Sequence, residues 1–167
     1  FTVAIALLSN QTKVVWGSGS GQTNLPASAT NLIAVSLRGP YNHLGLRANG
    51  TVVNWGIQSP APPAGLSNVV AIAAGFSSGL ALKSDGTLVE WSATLGASGI
   101  SNVVSIAKGD LHTLALRADG TIHVWGGKTY GQTNVPAGLS NVVAISAGAD
   151  HSLALKSDGT VSAWGLQ

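Results

Sequence analysis

Few side chains in this 167-residue sequence are suited to acid–base or nucleophilic chemistry. Three of the six acidic residues belong to turn-forming Asp-Gly pairs: Asp85, Asp119 and Asp158. The other three are Glu90, Asp110 and Asp150. Hydrolysis of a glycosidic bond needs two facing carboxylates, which would have to come from this second set. Because there is no cysteine, the chain offers no thiol nucleophile, thiolate zinc site or disulfide.

The remaining candidates for catalysis or metal binding fail on spacing. The four histidines show no His-x-His or HExxH pattern, so no metal site is expected. The run Asp150, His151, Ser152 contains the residue types of a hydrolytic triad, but adjacent strand residues point to opposite faces and cannot form its relay. GGKT at 126–129 lacks the upstream glycine and the following helix of a phosphate-binding loop. We therefore predict a protein that is not an enzyme and carries no cofactor.

A repeated module dominates the sequence, and it must be understood before any site is placed. HTLALRADGTIHVWG at 112–126 returns as HSLALKSDGTVSAWG at 151–165, with looser copies ahead of both. Steps of 39, 36, 34 and 39 residues separate the five tryptophans, Trp16, Trp55, Trp91, Trp125 and Trp164. A glycine stands sixteen residues before the tryptophan in the last four copies, at Gly39, Gly75, Gly109 and Gly148.

Each module has the pattern of a β-hairpin preceded by a third strand. SLALK alternates as a strand does, Asp-Gly supplies the positive φ angles of a two-residue turn, and TVxxW returns antiparallel. The preceding segment, such as NVVAISAG, is apolar at nearly every residue, which predicts a strand covered on both faces. A small sheet with an uncovered face needs a neighbour, so the tryptophans are expected to pack between successive sheets.

This organisation predicts an all-β fold, a β-propeller of short three- to four-stranded blades, in a single domain over residues 1–167. A period of 34–39 residues with several short strands per copy is typical of propellers. The alternative is a β-solenoid, whose coils usually have fewer residues, roughly 20–30. Exposed irregular tryptophans would favour ligand stacking, but these are fixed within the hairpins.

The joint pattern of Gly148, HSLALKSDGTVSAWG and GQTNVPAGLSNVVAISAG resembles the regulator of chromosome condensation repeat, in the short form common in bacterial proteins. It is also similar to the propeller-type β-lactamase inhibitor proteins. The resemblance implies a ring of seven blades, of which this chain would supply about four to five. Three arrangements stay open: a fragment of a longer propeller, a half-ring completed by a second copy, and an unusual five-bladed ring closed by pairing its two ends.

One position of the module carries small polar residues three places after the glycine: Asn42, Ser78, His112 and His151. We expect these side chains to form hydrogen bonds with the neighbouring loop. His43 and His123 do not follow the repeat and are expected to face solvent.

If repeated positions serve the fold, a partner should contact the positions where the copies differ. Two kinds of segment differ most. One kind follows the module glycine. The other kind follows the tryptophan and comprises Ser18–Ser20, Ile57–Pro60, Ala93–Leu95 and Lys128–Tyr130. In a propeller both would gather at the rim. The candidate binding residues are Tyr41, Asn42, Phe76, Asp110, Leu111, Lys128, Tyr130 and Asp150, with the aromatic side chains as natural anchors.

Three functional hypotheses follow. The first is a non-catalytic module whose rim binds a protein, in an inhibitor-like manner by the resemblance, with a secreted or cell-surface location. The second is a structural segment that self-associates to complete the ring. The third is a glycan-binding propeller, which would need an equivalent polar pocket in every blade.

The charge distribution argues against nucleic acid. The net charge is +2, and half of the eight basic residues occupy one repeated position rather than a cluster: Arg47, Lys83, Arg117 and Lys156. The sequence contains no apolar run long enough to cross a membrane as a helix, so no membrane partner is expected.

Overall fold

The computed structural model describes residues 3–7, 13–17, 25–92, 96–97 and 99–166, and the regular secondary structure of this part is entirely β-strand. The strands are β1 (Val3–Leu7), β2 (Lys13–Gly17), β3 (Leu32–Arg38), β4 (Asn42–Arg47), β5 (Val52–Trp55), β6 (Val69–Ala74), β7 (Gly79–Lys83), β8 (Leu88–Trp91), β9 (Val103–Lys108), β10 (His112–Arg117), β11 (Ile122–Gly126), β12 (Val142–Ala147), β13 (His151–Lys156) and β14 (Val161–Gly165).

The strands form five separate antiparallel sheets, one for each tryptophan module. The first sheet contains β1 and β2, and the other four have three strands each, in the orders β3-β4-β5, β6-β7-β8, β9-β10-β11 and β12-β13-β14. The last two strands of every module are the predicted hairpin. We number these sheets modules 1 to 5 in chain order.

In modules 2 to 5 the hairpin turns have three residues rather than the predicted two. In module 3, the Lys83 amide donates to the Thr87 carbonyl at 2.9 Å and the Gly86 amide donates to the Lys83 carbonyl at 2.9 Å. Gly86 alone takes a positive φ, +77°, so this is a type I turn closed by a left-handed glycine. Asp85 Oδ1 accepts hydrogen bonds from the amide and the hydroxyl of Thr87, and these bonds lower the pKa of Asp85 to about 2. These hydrogen bonds explain why threonine follows each Asp-Gly pair.

The first strand of each three-stranded module begins with a β-bulge, and here the prediction of a strand covered on both faces was wrong. In module 3, Asn68 has φ 58° and the register between β6 and β7 shifts between Val69 and Ala71. The bulged residue, Val70, points to solvent and is 53% exposed. The equivalent residues of the other modules are exposed too: Ile33, Val104 and Val143.

The tryptophans pack between consecutive sheets, as predicted. In the core between modules 2 and 3, Trp91 contacts Leu44 and Leu46 of the preceding sheet together with Val69 and Ala81 of its own. The side chains of Trp55, Trp91, Trp125 and Trp164 are all buried. The side chain of Trp16 lies outside the described residues.

The modules fan out from their first strands, which is the arrangement of a propeller. The inner strands contact one another in chain order, β3 with β6, β6 with β9 and β9 with β12, whereas the third strands β5, β8 and β11 do not pack extensively on other modules. A main-chain hydrogen bond joins each pair as well, for example from the Val69 amide to the Gly50 carbonyl at 3.1 Å. Among the described strands, module 5 makes no extensive contact with module 1, so the modules form a partial ring.

Candidate functional site

The segments that differ between modules lie at one end of the sheets and form a common rim. In modules 2, 4 and 5 the loop after the module glycine hydrogen-bonds to the segment after the same module's tryptophan. The Tyr41 carbonyl accepts from the Gln58 amide at 3.0 Å, and the Leu111 carbonyl accepts from the Gly127 amide at 2.7 Å. The two kinds of variable segment are therefore neighbours, as the sequence predicts. The predicted segments Ser18–Ser20 and Ala93–Leu95 lie outside the described residues.

An aromatic pair joins the rim loops of modules 2 and 3. The ring centroids of Tyr41 and Phe76 are 4.4 Å apart with the planes tilted by 41°. Phe76 is exposed and Tyr41 is half-buried. Both were predicted as anchors, and the structure brings them together into one apolar surface.

A charged pair adjoins the aromatic pair. Arg38 Nε donates to Asp110 Oδ1 at 2.5 Å, which links the rim of module 2 to that of module 4. Both pairs line a depression of about 320 Å³ together with Leu37. Arg38 was not among the predicted site residues. The sequence signal was present, because Arg38 stands at the end of a first strand, where modules 3 and 5 have alanine.

The rim continues into modules 4 and 5. The Asp110 amide donates to the Ala149 carbonyl at 3.3 Å, and the Asp150 carbonyl accepts from the Leu166 amide at 2.9 Å. Leu111 is strongly exposed beside these contacts. Lys128 and Tyr130 are exposed on the segment that follows Trp125. Most of the predicted binding residues therefore present side chains to solvent or line the depression.

Asn42 is the exception, because its side chain is fully buried. Its amide Nδ2 donates to the carbonyls of Gly75 at 3.0 Å and Ser78 at 2.7 Å, both in the next module. At the same module position, His112 Nε2 pairs with Ser152 Oγ of the next module at 2.9 Å. Asn42 thus joins two modules rather than contributing to the exposed surface. The expected hydrogen bonds to a neighbouring loop are present for Asn42, whereas His112 bonds to a strand residue of the next module.

The module glycines leave space for these polar side chains. A Cβ added at Gly109 would lie 2.4 Å from the ring of His112, and one at Gly148 would lie 2.2 Å from the ring of His151. At Gly75 the nearest atom would be a carbon of the Lys108 side chain, at 2.6 Å. Gly39 instead takes a positive φ of 49° in its turn.

A larger depression of about 920 Å³ lies between modules 3 and 4, and a buried ion pair lines it. Lys108 Nζ contacts Glu90 Oε1 at 2.7 Å and donates to Thr113 Oγ1 at 2.9 Å. The side chains of Lys108 and Glu90 are 5% and 1% exposed. Trp125 Nε1 donates to the second carboxylate oxygen of Glu90 at 3.0 Å. Ser77, Asp110 and other residues line the open part of the depression.

Every oxygen of Glu90 is thus engaged by neighbouring donors, which is the arrangement of a structural group rather than of a general base. The sequence analysis did not predict this network. Both residues depart from the repeat, since valine or alanine replaces Glu90 in modules 4 and 5 and alanine replaces Lys108 in modules 3 and 5.

The buried histidines lie beside the rim loops. Burial lowers the pKa of His112, and the charge of Arg38 acts in the same direction while Asp150 opposes it. His43 was expected to face solvent, but it is fully buried against Trp55, with ring centroids 5.6 Å apart. Burial also lowers its pKa. Nothing in the repeat indicated this burial, because the equivalent residues are Gly79, Thr113 and Ser152.

Within the described ranges, no group of three or more His, Cys, Asp or Glu side chains has the geometry of a metal site. The same residues contain no helix of the length and hydropathy needed to span a bilayer.

Comparison with known proteins assigns the repeat. A sequence model described as the regulator of chromosome condensation (RCC1) repeat matches residues 103–132 and 142–167, which correspond to modules 4 and 5. Modules 4 and 5 therefore match this repeat in sequence. No curated protein sequence matches the chain.

Solved propellers share the fold. The chain superposes on the ectodomain of the Physcomitrella patens receptor kinase CR4 with a TM-score of 0.80 and 20% identity, covering 98% of this chain and 49% of that one. For Prp20p from Saccharomyces cerevisiae the TM-score is 0.77 with 20% identity, covering 98% and 56%. For yeast RCC1 (Prp20) with Kap60 bound, the values are 0.68 and 21%, covering 93% and 46%. The chain thus spans about half the length of these three structures.

Proposed function

We propose that this chain is a non-catalytic interaction module whose rim binds a protein partner. The observation that carries the proposal is the composite surface of modules 2 to 4, in which the Tyr41–Phe76 aromatic pair adjoins the Arg38–Asp110 ion pair. Exposed aromatic and arginine side chains contribute a large share of the binding energy at protein interfaces. Leu111 extends this surface with a further exposed apolar side chain.

The asymmetry of the rim supports a protein over a glycan. The two positions after the module glycine read Pro-Tyr, Phe-Ser, Asp-Leu and Ala-Asp in modules 2 to 5. The aromatic pair therefore occurs at a single junction of the described rim. A lectin built from repeats would be expected to repeat its pocket, whereas one partner protein contacts one asymmetric patch.

The solved neighbours provide further support. One of them is yeast RCC1 bound to Kap60, and another is described with its binding properties to Gsp1p and histones. Those partners belong to those proteins. What we take from them is the kind of function, recognition of a protein by a propeller. An inhibitor-like mode of action is a finer proposal that rests on the resemblance of the repeats to propeller-type inhibitors.

A secreted or cell-surface location is likewise a proposal. Its support is that one solved neighbour is the ectodomain of a receptor kinase, so a propeller of this fold occurs outside a cell.

Affinity capture followed by reconstitution tests the rim. Proteins captured by the purified chain would be identified and purified, and binding would be measured by calorimetry with the chain and with Phe76→Ala and Arg38→Ala. Each substitution is expected to weaken binding about 30-fold or more, the effect of losing about 2 kcal/mol at an interface hot spot. Val70→Ala is the control, since Val70 is apolar and exposed but lies at the start of β6, at the strand end opposite the rim.

An unchanged dissociation constant in both rim variants would contradict the proposal. A glycan that binds with one equivalent site per module would favour the lectin hypothesis instead.

We also propose that the chain associates with itself. The last module exposes apolar residues whose counterparts in the preceding modules are buried, and such a surface favours association.

A further inference from the structure

The segments that link consecutive modules differ in length, and the shortest follows module 3. We call a connector the residues between a module's tryptophan and the left-handed asparagine that precedes the next inner strand. The connectors of modules 2, 3 and 4 are residues 56–67, 92–101 and 126–140. The larger depression, of about 920 Å³, lies at the junction of modules 3 and 4, which has the short connector.

At the junctions on either side, the connector accepts hydrogen bonds from the module that follows it. The indole of Trp91 donates to the Pro60 carbonyl at 3.1 Å, and the indole of Trp164 donates to the Gln132 carbonyl at 2.9 Å. The Ser152 hydroxyl donates to the same Gln132 carbonyl at 3.0 Å. Gln132 is fully buried, so the connector places an uncharged polar residue between modules 4 and 5.

At the junction of modules 3 and 4, a carboxylate replaces the connector carbonyl as acceptor. The indole of Trp125 donates to Glu90 Oε2 at 3.0 Å, and the Thr113 hydroxyl lies 3.5 Å from Glu90 Oε1. Trp125 and Thr113 hold the module positions of the two residues that donate to Gln132, and both line the depression. The depression therefore lies where a connector residue lies at the next junction.

The charges that line the depression are already paired. Lys108 Nζ lies 2.7 Å from Glu90 Oε1, and both side chains are almost completely buried. Asp110, the third charged residue of the lining, pairs with Arg38. An ionised group that entered the depression would find no counter-charge, and burying an unpaired charge is costly. The depression therefore favours an uncharged occupant.

Hydroxyl groups and an apolar side chain complete the lining. Ser77 and Ser78 of module 3 present hydroxyls that can donate and accept hydrogen bonds, and Leu111 of module 4 is strongly exposed. Asp110 lines both this depression and the smaller one beside the aromatic pair. The larger depression thus adjoins the surface to which we assign partner binding.

We propose that the partner protein inserts an extended segment with a glutamine or asparagine side chain into the depression between modules 3 and 4. The proposal deepens the rim-binding function and rests on it. The contact is continuous with one already present in the fold, because the inserted residue takes the place that Gln132 has between modules 4 and 5. Its amide bonds to the hydroxyls of Ser77 and Ser78.

A peptide probe tests the depression without a captured partner. The probe is acetylated and amidated Gly-Gln-Thr-Asn-Val-Pro, the sequence of residues 131–136. In ¹⁵N–¹H spectra recorded during titration of the chain, the indole resonance of Trp125 is expected to shift saturably. The resonance of Trp164 should not shift, because Gln132 already fills its junction. Gly-Glu-Thr-Asp-Val-Pro is the matched control, and its two carboxylates should weaken binding about tenfold or more.

Two variants of the chain close the depression in different ways. Ser77→Trp places a large ring on an exposed residue of the lining and is expected to abolish the shift of Trp125. Ser67→Trp is its control, since Ser67 is equally exposed but lies before β6, at the strand end opposite the rim. Replacing residues 92–101 by residues 126–140 gives module 3 the longer connector and should also abolish the shift. Retained indole resonances show that each variant is folded.

The absence of a saturable Trp125 shift up to the solubility limit of the peptide would overturn the proposal. Equal affinity for the two peptides, or unchanged binding by Ser77→Trp, would overturn it too. The rim function fails separately, because Phe76→Ala and Arg38→Ala test it with the captured partner. A partner that these two substitutions weaken, but Ser77→Trp does not, would support the rim and reject the insertion.

Discussion

At the scale of single residues, Lys108 and Glu90 form a buried ion pair at positions where the repeats differ. The pair lies between modules 3 and 4, whereas the same two positions between modules 4 and 5 hold Val124 and Ala147. Taking both charges out of water is costly, and the pair offsets that cost through its contacts with Thr113 and Trp125. Sequence alone could not predict the pairing, since the two residues are 18 positions apart on different sheets.

Breaking this pair from one side should be strongly destabilising. Glu90→Gln leaves the Lys108 ammonium buried without a counter-charge, so we expect the free energy of unfolding to fall by about 3–5 kcal/mol. Adding Lys108→Met removes that charge while Gln can still accept from the Trp125 indole, and the double variant should lie within about 1.5 kcal/mol of the native chain. Urea unfolding followed by tryptophan fluorescence measures both.

Lys83→Met is the control for the buried pair. Lys83 and Asp85 form an exposed ion pair at 3.4 Å, so losing it should cost less than about 1 kcal/mol. A Glu90→Gln variant as stable as Lys83→Met would contradict the structural role of the buried pair.

The buried histidines predict a loss of stability in mild acid. Burial lowers the folded-state pKa of His43 and His112 below the ordinary histidine value of 6.5. A histidine with a lowered pKa favours the fold when neutral, so its contribution is present above pH 6.5 and is lost as the pH falls toward the folded-state pKa. We expect the free energy of unfolding to decrease from pH 7 to pH 5. In the variant His43→Thr, which carries the residue of module 4 at this position, the decrease should be smaller, and an equal decrease would rule out His43 as a source.

At the scale of the structural element, the sequence predicts the hairpins well and the strand starts poorly. The alternation in SLALK and the Asp-Gly-Thr turn are local signals, and both hairpin strands form where they are predicted. The bulge that exposes Val70 follows from the left-handed Asn68 and from the contact of this strand with the turn of the preceding module. That contact is tertiary, so the run of apolar residues could not reveal it.

Substitutions at two turn glycines can distinguish the cost of backbone strain from the cost of disturbed contact between modules. Gly120 and Gly159 have φ angles of +77° and +83°, so alanine at either position is strained, by about 1–2 kcal/mol. At Gly120 the added Cβ would also lie 3.3 Å from backbone atoms of Asn141 and Val142. We therefore expect Gly120→Ala to lower the midpoint of thermal unfolding more than Gly159→Ala, as measured by circular dichroism. Equal shifts would show that the turn does not contribute to module packing.

At the scale of the whole molecule, the modules pack against one another in the order in which they occur along the chain. Each of modules 3 to 5 packs on the preceding module through its tryptophan and its inner strand, and the first amide of that strand donates to the turn-glycine carbonyl of the preceding module. The sequence predicts this series of packed sheets because the tryptophan phase never changes. The composition of the rim was harder to predict. Tyr41 and Phe76 were identifiable as variable aromatic residues, but their stacking and the reach of Arg38 to Asp110 depend on how three modules are placed.

The rim and the contacts between modules therefore have separate roles. The exposed variable side chains recognise a partner, and the repeated side chains hold the modules together. Both roles occur within a single loop: Tyr41 contributes to the rim, and the adjacent Asn42 bonds to the following module.

Hydrogen exchange of the indole N–H groups tests the central claim that the tryptophans lie between the sheets. Trp91 donates to the Pro60 carbonyl at 3.1 Å, Trp125 to Glu90 at 3.0 Å and Trp164 to the Gln132 carbonyl at 2.9 Å. In ¹⁵N–¹H spectra recorded after transfer to D₂O, the resonances of these three indoles are expected to persist while those of exposed amides disappear. Immediate loss of all three would show that the rings are open to solvent and would contradict the account.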